Sequence, residues 1–174
     1  MDFFVVPTVT ARLLYVLVVM NHARRKIVHF NVTAAPTAVW TAQQIINAFP
    51  YDTAPKYLLR DRDSIYGSLF VQRVEGMGIT QKLISPRSPW QSPYVERLVG
   101  SIRRECLDRV IVFNERQLRH VLQSYFEYYH EIRPHRALSH DSPIPRAVES
   151  PERGDVIEIP LVGGLHHHYL REAA

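Results

Sequence analysis

The first part of the chain alternates between apolar stretches and short polar breaks. Val, Leu, Phe and Tyr are frequent over residues 3–9, 13–20 and 26–32, and the break NHARR over residues 21–25 is polar and basic. β-branched and aromatic residues favour strands, and short polar breaks favour tight connections between them. The pattern therefore predicts three consecutive strands in an antiparallel meander.

The middle of the chain has mixed helix and strand patterns. Apolar positions at helical spacing predict a helix over residues 37–49, which Pro50 closes. Residues 56–59 form a short apolar run typical of a buried strand, and the charged group RDRD follows at residues 60–63. The next predicted elements are a short helix over residues 69–74, a strand over residues 79–84 and a proline-rich loop over residues 85–89.

Two amphipathic helices are predicted after the proline-rich loop. The apolar face of the first consists of Val95, Leu98, Val99, Ile102 and Cys106. The apolar face of the second consists of Leu118, Val121, Leu122, Tyr125, Phe126 and Tyr129. Asn114, with Gln117 three residues later, is a suitable N-cap for the second helix, and Pro134 ends it.

Length and composition favour one domain. With 174 residues and 46% hydrophobic content, the chain can bury about two-thirds of its unfolded surface in a single core. We expect this core over residues 1–140. Pro, His and Gly become frequent from Ser139 onward, so residues 141–174 are expected to form a loosely packed C-terminal tail. Within it, His166-His167-His168 is interpreted as a polar segment, because adjacent side chains of an extended chain point in alternate directions.

Charge and cysteine content limit the partners and the compartment. Lys and Arg number 21 against 17 Asp and Glu, with a pI near 9.4, which suits a polyanionic partner without requiring one. The single cysteine, Cys106, excludes an internal disulfide and is interpreted as a buried apolar residue. The longest apolar run, residues 13–20, is shorter than the roughly 20 residues that span a bilayer. We therefore expect a cytoplasmic protein without a membrane partner.

Three carboxylates occupy positions that could converge. Asp2 begins the first predicted strand, Asp61 ends the fourth, and Glu96 lies near the start of the helix after the proline-rich loop. If the first and fourth strands are adjacent, the three side chains meet at one edge of the sheet. Carboxylates can hold two divalent ions that activate the attacking oxygen and stabilise the leaving oxygen of a phosphodiester. Hard oxygen ligands favour Mg²⁺ or Mn²⁺.

Spacing and local motifs extend this pattern. Residues 62–95, which separate Asp61 from Glu96, number 34. Four stretches complete the pattern: DFFV at residues 2–5, LRDRDSIYG at 59–67, SPWQSPYVER at 88–97, and YYH at 128–130 with RPHRAL at 133–138. Over roughly residues 1–145 the chain resembles the integrase catalytic core of bacterial insertion-sequence transposases and retroviral integrases, whose Asp-Asp-Glu triad has this spacing.

The resemblance implies an α/β, ribonuclease-H-like fold with a five-stranded mixed sheet flanked by helices and a truncated first strand. It implies that Asp2, Asp61 and Glu96 are catalytic residues that bind two Mg²⁺ or Mn²⁺ ions. The implied reaction nicks DNA at an element's end with water and then joins the freed 3′ hydroxyl to target DNA. The implied partners are element ends, target DNA and further copies of the chain, at the nucleoid of a bacterium.

Two positions depart from the family pattern. The second motif usually reads Asp-x-Gly, but Asp63 occupies the glycine position, and Ser92 stands where Asn is common. Asp61 is the preferred second metal ligand because it has the family spacing, and Asp63 is the alternative. Of the aromatic residues nearby, Trp90 and Tyr94 are expected to pack on the core rather than to stack on a displaced base.

Six basic residues are candidate DNA contacts. Arg103 lies seven residues after Glu96 and so shares its helix face, where it could contact the DNA backbone. The alternative is that Arg103 is a solvated surface residue. Arg97 and Arg104 add charge to the same helix. The motif Arg133-Pro134-His135-Arg136 could bind phosphates through Arg133, His135 and Arg136, or satisfy carbonyls of the preceding helix.

Two rival functions remain open at this point. The first is a nuclease of the same fold that hydrolyses nucleic acid without joining strands, which product analysis would distinguish. The second is an inactive remnant that at most binds DNA. This second rival is favoured by the expectation that the first strand is truncated and that a DNA-recognition region is missing before Met1.

Overall fold

The computed structural model describes residues 1–85 and 88–172. Its first three strands are β1 (Asp2–Pro7), β2 (Leu13–Asn21) and β3 (Lys26–Thr33). They pair as an antiparallel meander in the order β1-β2-β3, with a register shift between Val19 and Met20. The predicted meander is confirmed. Pro86 and Arg87 of the predicted proline-rich loop lie outside the described residues.

The mixed segment that follows also forms as predicted. Helix α1 (Ala38–Ala48) starts at Thr37, whose side chain accepts a hydrogen bond from the Trp40 amide. Strand β4 (Tyr57–Arg60) pairs in parallel with β5 (Thr80–Leu83), and α2 (Ser68–Gly76) connects them. Parallel neighbours require such a crossover, which explains the strand, helix, strand order of the sequence.

Two long helices complete the main body. Helix α3 covers Pro93–Glu105, and α4 covers Glu115–Glu131. The Asn114 side chain accepts a hydrogen bond from the Gln117 amide at 2.9 Å, as a helix cap does. The Gln117 side chain in turn accepts from the Phe113 amide at 2.7 Å.

The meander lies between two layers of helices, because successive side chains of a strand point to opposite faces. Leu14, Val16 and Val18 of β2 pack with the apolar faces of α3 and α4. Leu17 and Val19 pack on the other side, with α1, α2 and β4. Cys106 lies fully buried in the first layer, as expected, and burial raises the pKa of its thiol to about 11.

The C-terminal segment differs from the prediction of a loosely packed tail. Strands β6 (Asp155–Leu161) and β7 (His166–Glu172) form an antiparallel hairpin. Val162 at its turn is buried in the core beside α4. The His166 ring stacks on Tyr128 with centroids 4.1 Å apart, and its Nε2 donates to the Glu105 carbonyl at 2.9 Å. The hairpin is thus docked on the helices, and His166 is a packing residue.

A single five-stranded sheet is not observed among the described residues, which form three separate sheets. The expected junction between β1 and β4 consists of one hydrogen bond, from the Met1 nitrogen to the Leu59 carbonyl at 2.8 Å. Met1 directly precedes β1, and Leu59 is the third of the four residues of β4, but no strand pairing between β1 and β4 is found among the described residues. The two sheets are nevertheless side by side at this point.

Candidate active site and its basic surroundings

The three predicted acids lie at the junction between β1 and β4. Asp2 is the first residue of β1, Asp61 directly follows β4, and Glu96 lies in the first turn of α3. Their charges interact. The pKa of Asp2 is raised to about 6, chiefly by burial and with smaller contributions from the carboxylates Asp61 and Glu96, while the hydrogen bond from the Phe3 amide and the charge of the N-terminus lower it. The structure therefore brings the three positions into one electrostatic group.

The buried side of this group contains residues that were not predicted from the sequence. The Arg60 guanidinium lies over the Tyr66 ring at 4.7 Å and donates to the Gln81 side chain at 2.8 Å. The Tyr66 hydroxyl is buried and has no hydrogen-bond partner among the described residues. Burial, with Asp61 and Asp2 nearby, raises the pKa of Tyr66 well above its usual value. The acidic group is thus bordered on its buried side by the aromatic ring of Tyr66, which packs against the buried side chain of Arg60.

Asp61 and Asp63 have different surroundings. Asp63 accepts hydrogen bonds from the Ile65 amide at 2.9 Å and from the Ser64 hydroxyl at 3.4 Å, which fixes it in a local turn. Among the residues that the structure describes, Asp61 accepts only a longer bond, from the Asp63 amide at 3.4 Å. Of the two, Asp61 is the one whose charge acts on Asp2. These contacts favour Asp61 over Asp63 as a metal ligand.

The donor set suits a hard divalent cation in its chemistry. Carboxylate oxygens are the ligands that Mg²⁺ and Mn²⁺ prefer, and a cation would stabilise the charged form of Asp2 against the burial, and the smaller repulsion from Asp61 and Glu96, that raise its pKa. In the part of the chain that the structure describes, no three His, Cys, Asp or Glu side chains are already close enough together to hold a metal ion. Ion binding would therefore have to draw the acids together.

The predicted basic residues fall into two groups. Arg97, Arg103, Arg104 and Arg136 are exposed. Arg133 instead makes a two-pronged ion pair with Glu105, with distances of 2.8 and 2.6 Å. His135 is 5% exposed, and its ring packs edge-on against Tyr129 at 4.6 Å. Arg133 and His135 therefore have structural partners that their motif did not reveal.

The Glu105 contact fixes the turn that follows α4. Glu105 also accepts a hydrogen bond from the Tyr125 hydroxyl at 2.8 Å. Burial opposes ionisation of Glu105, but the hydrogen bonds from Arg133 and Tyr125 outweigh it and lower the pKa of the carboxyl. The pair links the end of α3 to the end of α4 and so positions Arg136.

The two aromatic residues before Glu96 differ from expectation. Trp90, expected to pack on the core, is 70% exposed, so that prediction is wrong. Tyr94 lies at the surface of α3, where its ring contacts the His22 ring at 4.9 Å and the Arg25 guanidinium at 5.2 Å. Both rings are thus accessible from solvent.

The chain is similar to known proteins in family model, curated relatives and solved structures. Residues 77–143 match the family model described as integrase core domain. The resemblance to integrase and transposase cores is confirmed. The matched segment contains Glu96 and the basic motif at residues 133–136, whereas Asp2 and Asp61 lie before it.

Two curated relatives are insertion-element proteins. The chain is 26% identical over 144 residues to an uncharacterized 39.2 kDa protein of insertion element IS476 from Xanthomonas euvesicatoria. It is 27% identical over 143 residues to an uncharacterized 31.7 kDa protein of insertion element IS407 from Burkholderia multivorans. Each alignment covers 82% of this chain, but only 42% and 52% of the respective relative. The chain thus spans about half the length of these relatives.

Solved structures share the fold at low sequence identity. The catalytic core domain of BIV integrase matches with a TM-score of 0.58 and 16% identity, covering 82% of this chain and 88% of that one. A chain of the simian T-cell lymphotropic virus intasome, in complex with the PP2A regulatory subunit B56 gamma, matches with a TM-score of 0.63 and 12% identity. That match covers 97% of this chain and 64% of the other. The integrase-type, ribonuclease-H-like α/β fold is therefore shared, although its sheet is divided here.

Crossing a membrane requires a helix that is both long and apolar. Within residues 1–85 and 88–172, no helix meets both requirements.

Proposed function

We propose that this chain is the catalytic core of a transposase or integrase that cleaves DNA and joins the cut end to a target. The observation that carries the proposal is the electrostatic group of Asp2, Asp61 and Glu96 on an integrase-type fold. The likeness to two insertion-element proteins supports bacterial DNA as the substrate and the nucleoid as the place of action.

The proposed metal ligands are Asp2, Asp61 and Glu96. Two Mg²⁺ or Mn²⁺ ions, when bound, would activate the attacking oxygen and stabilise the leaving oxygen of the phosphodiester. The raised pKa of Asp2, about 6, means that its carboxylate is free to bind a cation at neutral pH but is increasingly protonated below pH 6. Asp63 keeps the loop after β4 in its turn and is not assigned as a ligand.

The exposed arginines are the proposed DNA contacts. Arg103 shares the helix face of Glu96 and is exposed, so it can contact the phosphate next to the scissile bond. Arg133 and His135, with their intramolecular partners, are proposed to hold the turn that presents Arg136. By analogy with the intasome, we extend the proposal to a homo-oligomer that assembles on DNA ends.

The test compares three variants in a cleavage and strand-transfer assay with labelled element ends and Mg²⁺ or Mn²⁺. Asp61→Asn and Glu96→Gln should each lose at least about 100-fold in rate, since even outer partners of metal ligands are worth 10–100-fold. Asp63→Asn, the matched control, should retain activity. Cleavage at the parent rate by both of the first two variants would refute the assignment.

Thermal unfolding provides a second readout that does not depend on turnover. Mn²⁺ should raise the Tm of the parent and of Asp63→Asn, because binding to the folded state stabilises it. The rise should be absent in Asp61→Asn and Glu96→Gln. Products that are cut but never joined would instead favour the hydrolytic nuclease.

A further inference from the structure

A cleft lined by five arginines lies against α3, the helix that carries Glu96. It has a volume of about 380 Å³ and is bounded by α3, the β2–β3 turn and the turn after α4. Its basic lining residues are Arg25, Arg97, Arg104, Arg133 and Arg136. Among the residues that line it, all of them within the described ranges, none is acidic. The cleft is therefore a concentrated positive site on a chain whose net charge is only +4.

Four of these arginines are available to a ligand. Arg133 is neutralised by Glu105, with its shortest contact at 2.6 Å. Arg25, Arg97, Arg104 and Arg136 take part in none of the ion pairs found within residues 1–85 and 88–172. Like charges in one concavity repel each other and raise the local concentration of anions. An anionic ligand would relieve this repulsion.

The β2–β3 turn is built to present Arg25 to the cleft. Arg24 points away from it, pairing with Asp141 at 2.9 Å and donating to the carbonyls of Ser142 and Pro143. These contacts fix the turn to the segment after α4. Arg25 has a φ of +57°, a conformation that costs a non-glycine residue of order 1 kcal/mol or more. The strained residue is the one whose guanidinium covers Tyr94.

The cleft and the acidic group lie on opposite flanks of α3. Tyr94, Leu98 and Ser101 recur along the flank that lines the cleft, whereas Glu96 and Arg103 lie roughly 140–180° away around the helix. Arg97 and Arg104, which also line the cleft, lie between these flanks, roughly 80–100° from Glu96. A helix with its side chains is about 10 Å across. At about 3.4 Å per nucleotide along one strand, that width corresponds to about three nucleotides.

We propose that this cleft binds the sugar-phosphate backbone of DNA a few nucleotides from the scissile bond, and that Arg25, Arg97, Arg104 and Arg136 contact its phosphates. One guanidinium group can donate two parallel hydrogen bonds to the oxygens of one phosphate. A cleft lined by arginines rather than lysines therefore suits this ligand. The inference rests on the proposed function, because it assumes that DNA is the substrate. It adds the β2–β3 turn, through Arg25, to the DNA-binding surface.

The experiment measures binding of a fluorescent DNA duplex by anisotropy at several salt concentrations, without divalent metal. Each lost phosphate contact should reduce the slope of log K against log salt by about 0.9. Arg25→Gln should lower the slope by that amount and weaken binding roughly tenfold at low salt. The double variant with Arg104→Gln should lower the slope by roughly 2.

Two further variants separate charge from folding. Arg12→Gln removes one exposed arginine from the β1–β2 turn, at the opposite end of β2, and should leave the slope unchanged. Arg25→Gly removes the charge while relieving the positive φ, so it should retain the Tm of the parent and still lose the phosphate contact.

The outcomes distinguish this inference from the proposed function. Equal slopes for Arg25→Gln and Arg12→Gln, or a parent that does not bind DNA, would overturn the cleft as a DNA site. A reduced slope in Arg25→Gln supports the cleft even if Asp61→Asn and Glu96→Gln cleave normally, in which case only the catalytic assignment fails.

Discussion

The ion pair between Glu105 and Arg133 allows a structural role to be separated from a DNA-binding role. Arg133 makes two hydrogen bonds to Glu105, at 2.8 and 2.6 Å, and the two side chains are 23% and 24% exposed. Exposed pairs contribute about 0.2–1 kcal/mol, and breaking fully buried pairs costs about 3–5 kcal/mol. Because this pair is about one-quarter exposed, we expect a coupling energy of about 2 kcal/mol.

The single substitutions should both destabilise the fold. Glu105→Ala leaves the Arg133 charge unpaired and removes the partner of the Tyr125 hydroxyl, so its cost should be about 3 kcal/mol. Arg133→Ala leaves Glu105 with the Tyr125 hydroxyl and should cost slightly less. Urea unfolding of the two single variants and the double variant gives the coupling as a double-mutant cycle.

A weaker pair serves as the control. Glu149 and Arg153 are 3.4 Å apart and 32% and 65% exposed, so the same cycle should give at most about 0.5 kcal/mol. A Glu105–Arg133 coupling no larger than this control would refute the structural role. A fall of about 0.9 in the salt slope of DNA binding by Arg133→Ala would show that Arg133 contacts phosphate.

Three other outcomes follow from the structure. Tyr66→Phe should keep or raise stability by about 1 kcal/mol in urea unfolding, since its buried hydroxyl has no partner among the described residues; a loss above 1 kcal/mol would reveal a missed contact. His166→Ala should expose the β6–β7 hairpin to faster hydrogen exchange, whereas His167→Ala should not, because only His166 stacks on Tyr128. Burial, aided by nearby carboxylates, raises the pKa of Asp2 from 3.8 to about 6. Protonation of Asp2 therefore stabilises the folded state. This stabilisation is fully present below pH 4 and is lost as the pH rises through 6. Asp2→Asn should accordingly have a higher Tm than the parent at pH 8 and an equal one at pH 4.

The elements of the main body follow from local patterns, but their assembly does not. The continuous apolar run of β2 is typical of a strand that is buried on both faces, and helical spacing predicts α1, α3 and α4. How far β1 overlaps β4 depends on where each strand begins and ends. In the described part of the chain, one hydrogen bond joins Met1, just before β1, to Leu59 of β4. The β6–β7 hairpin was missed because Pro, His and Gly dominate the composition of its region, while its docking depends on Val162 and His166 reaching distant helices.

The candidate acids could be predicted because their positions depend on strand ends and helix starts. The roles of the arginines could not, because they depend on tertiary partners. Arg24 and Arg25 are adjacent and chemically identical, yet the first binds Asp141 and the second covers Tyr94. Similarly, Arg133 and Arg136 share one motif, but only Arg133 meets a carboxylate.

This division of the arginines explains how a modest net charge can serve a polyanionic partner. Ion pairs neutralise arginines that hold elements together, such as Arg24 and Arg133, so these add nothing to the field outside the protein. The unpaired arginines of the cleft then concentrate positive charge on one side of α3, while Glu96 of the acidic group lies on the other. A DNA backbone crossing α3 would meet binding charge on one flank and the proposed metal site on the other. The affinity for DNA and the capacity to cleave it should therefore be separable by substitutions on the two flanks of a single helix.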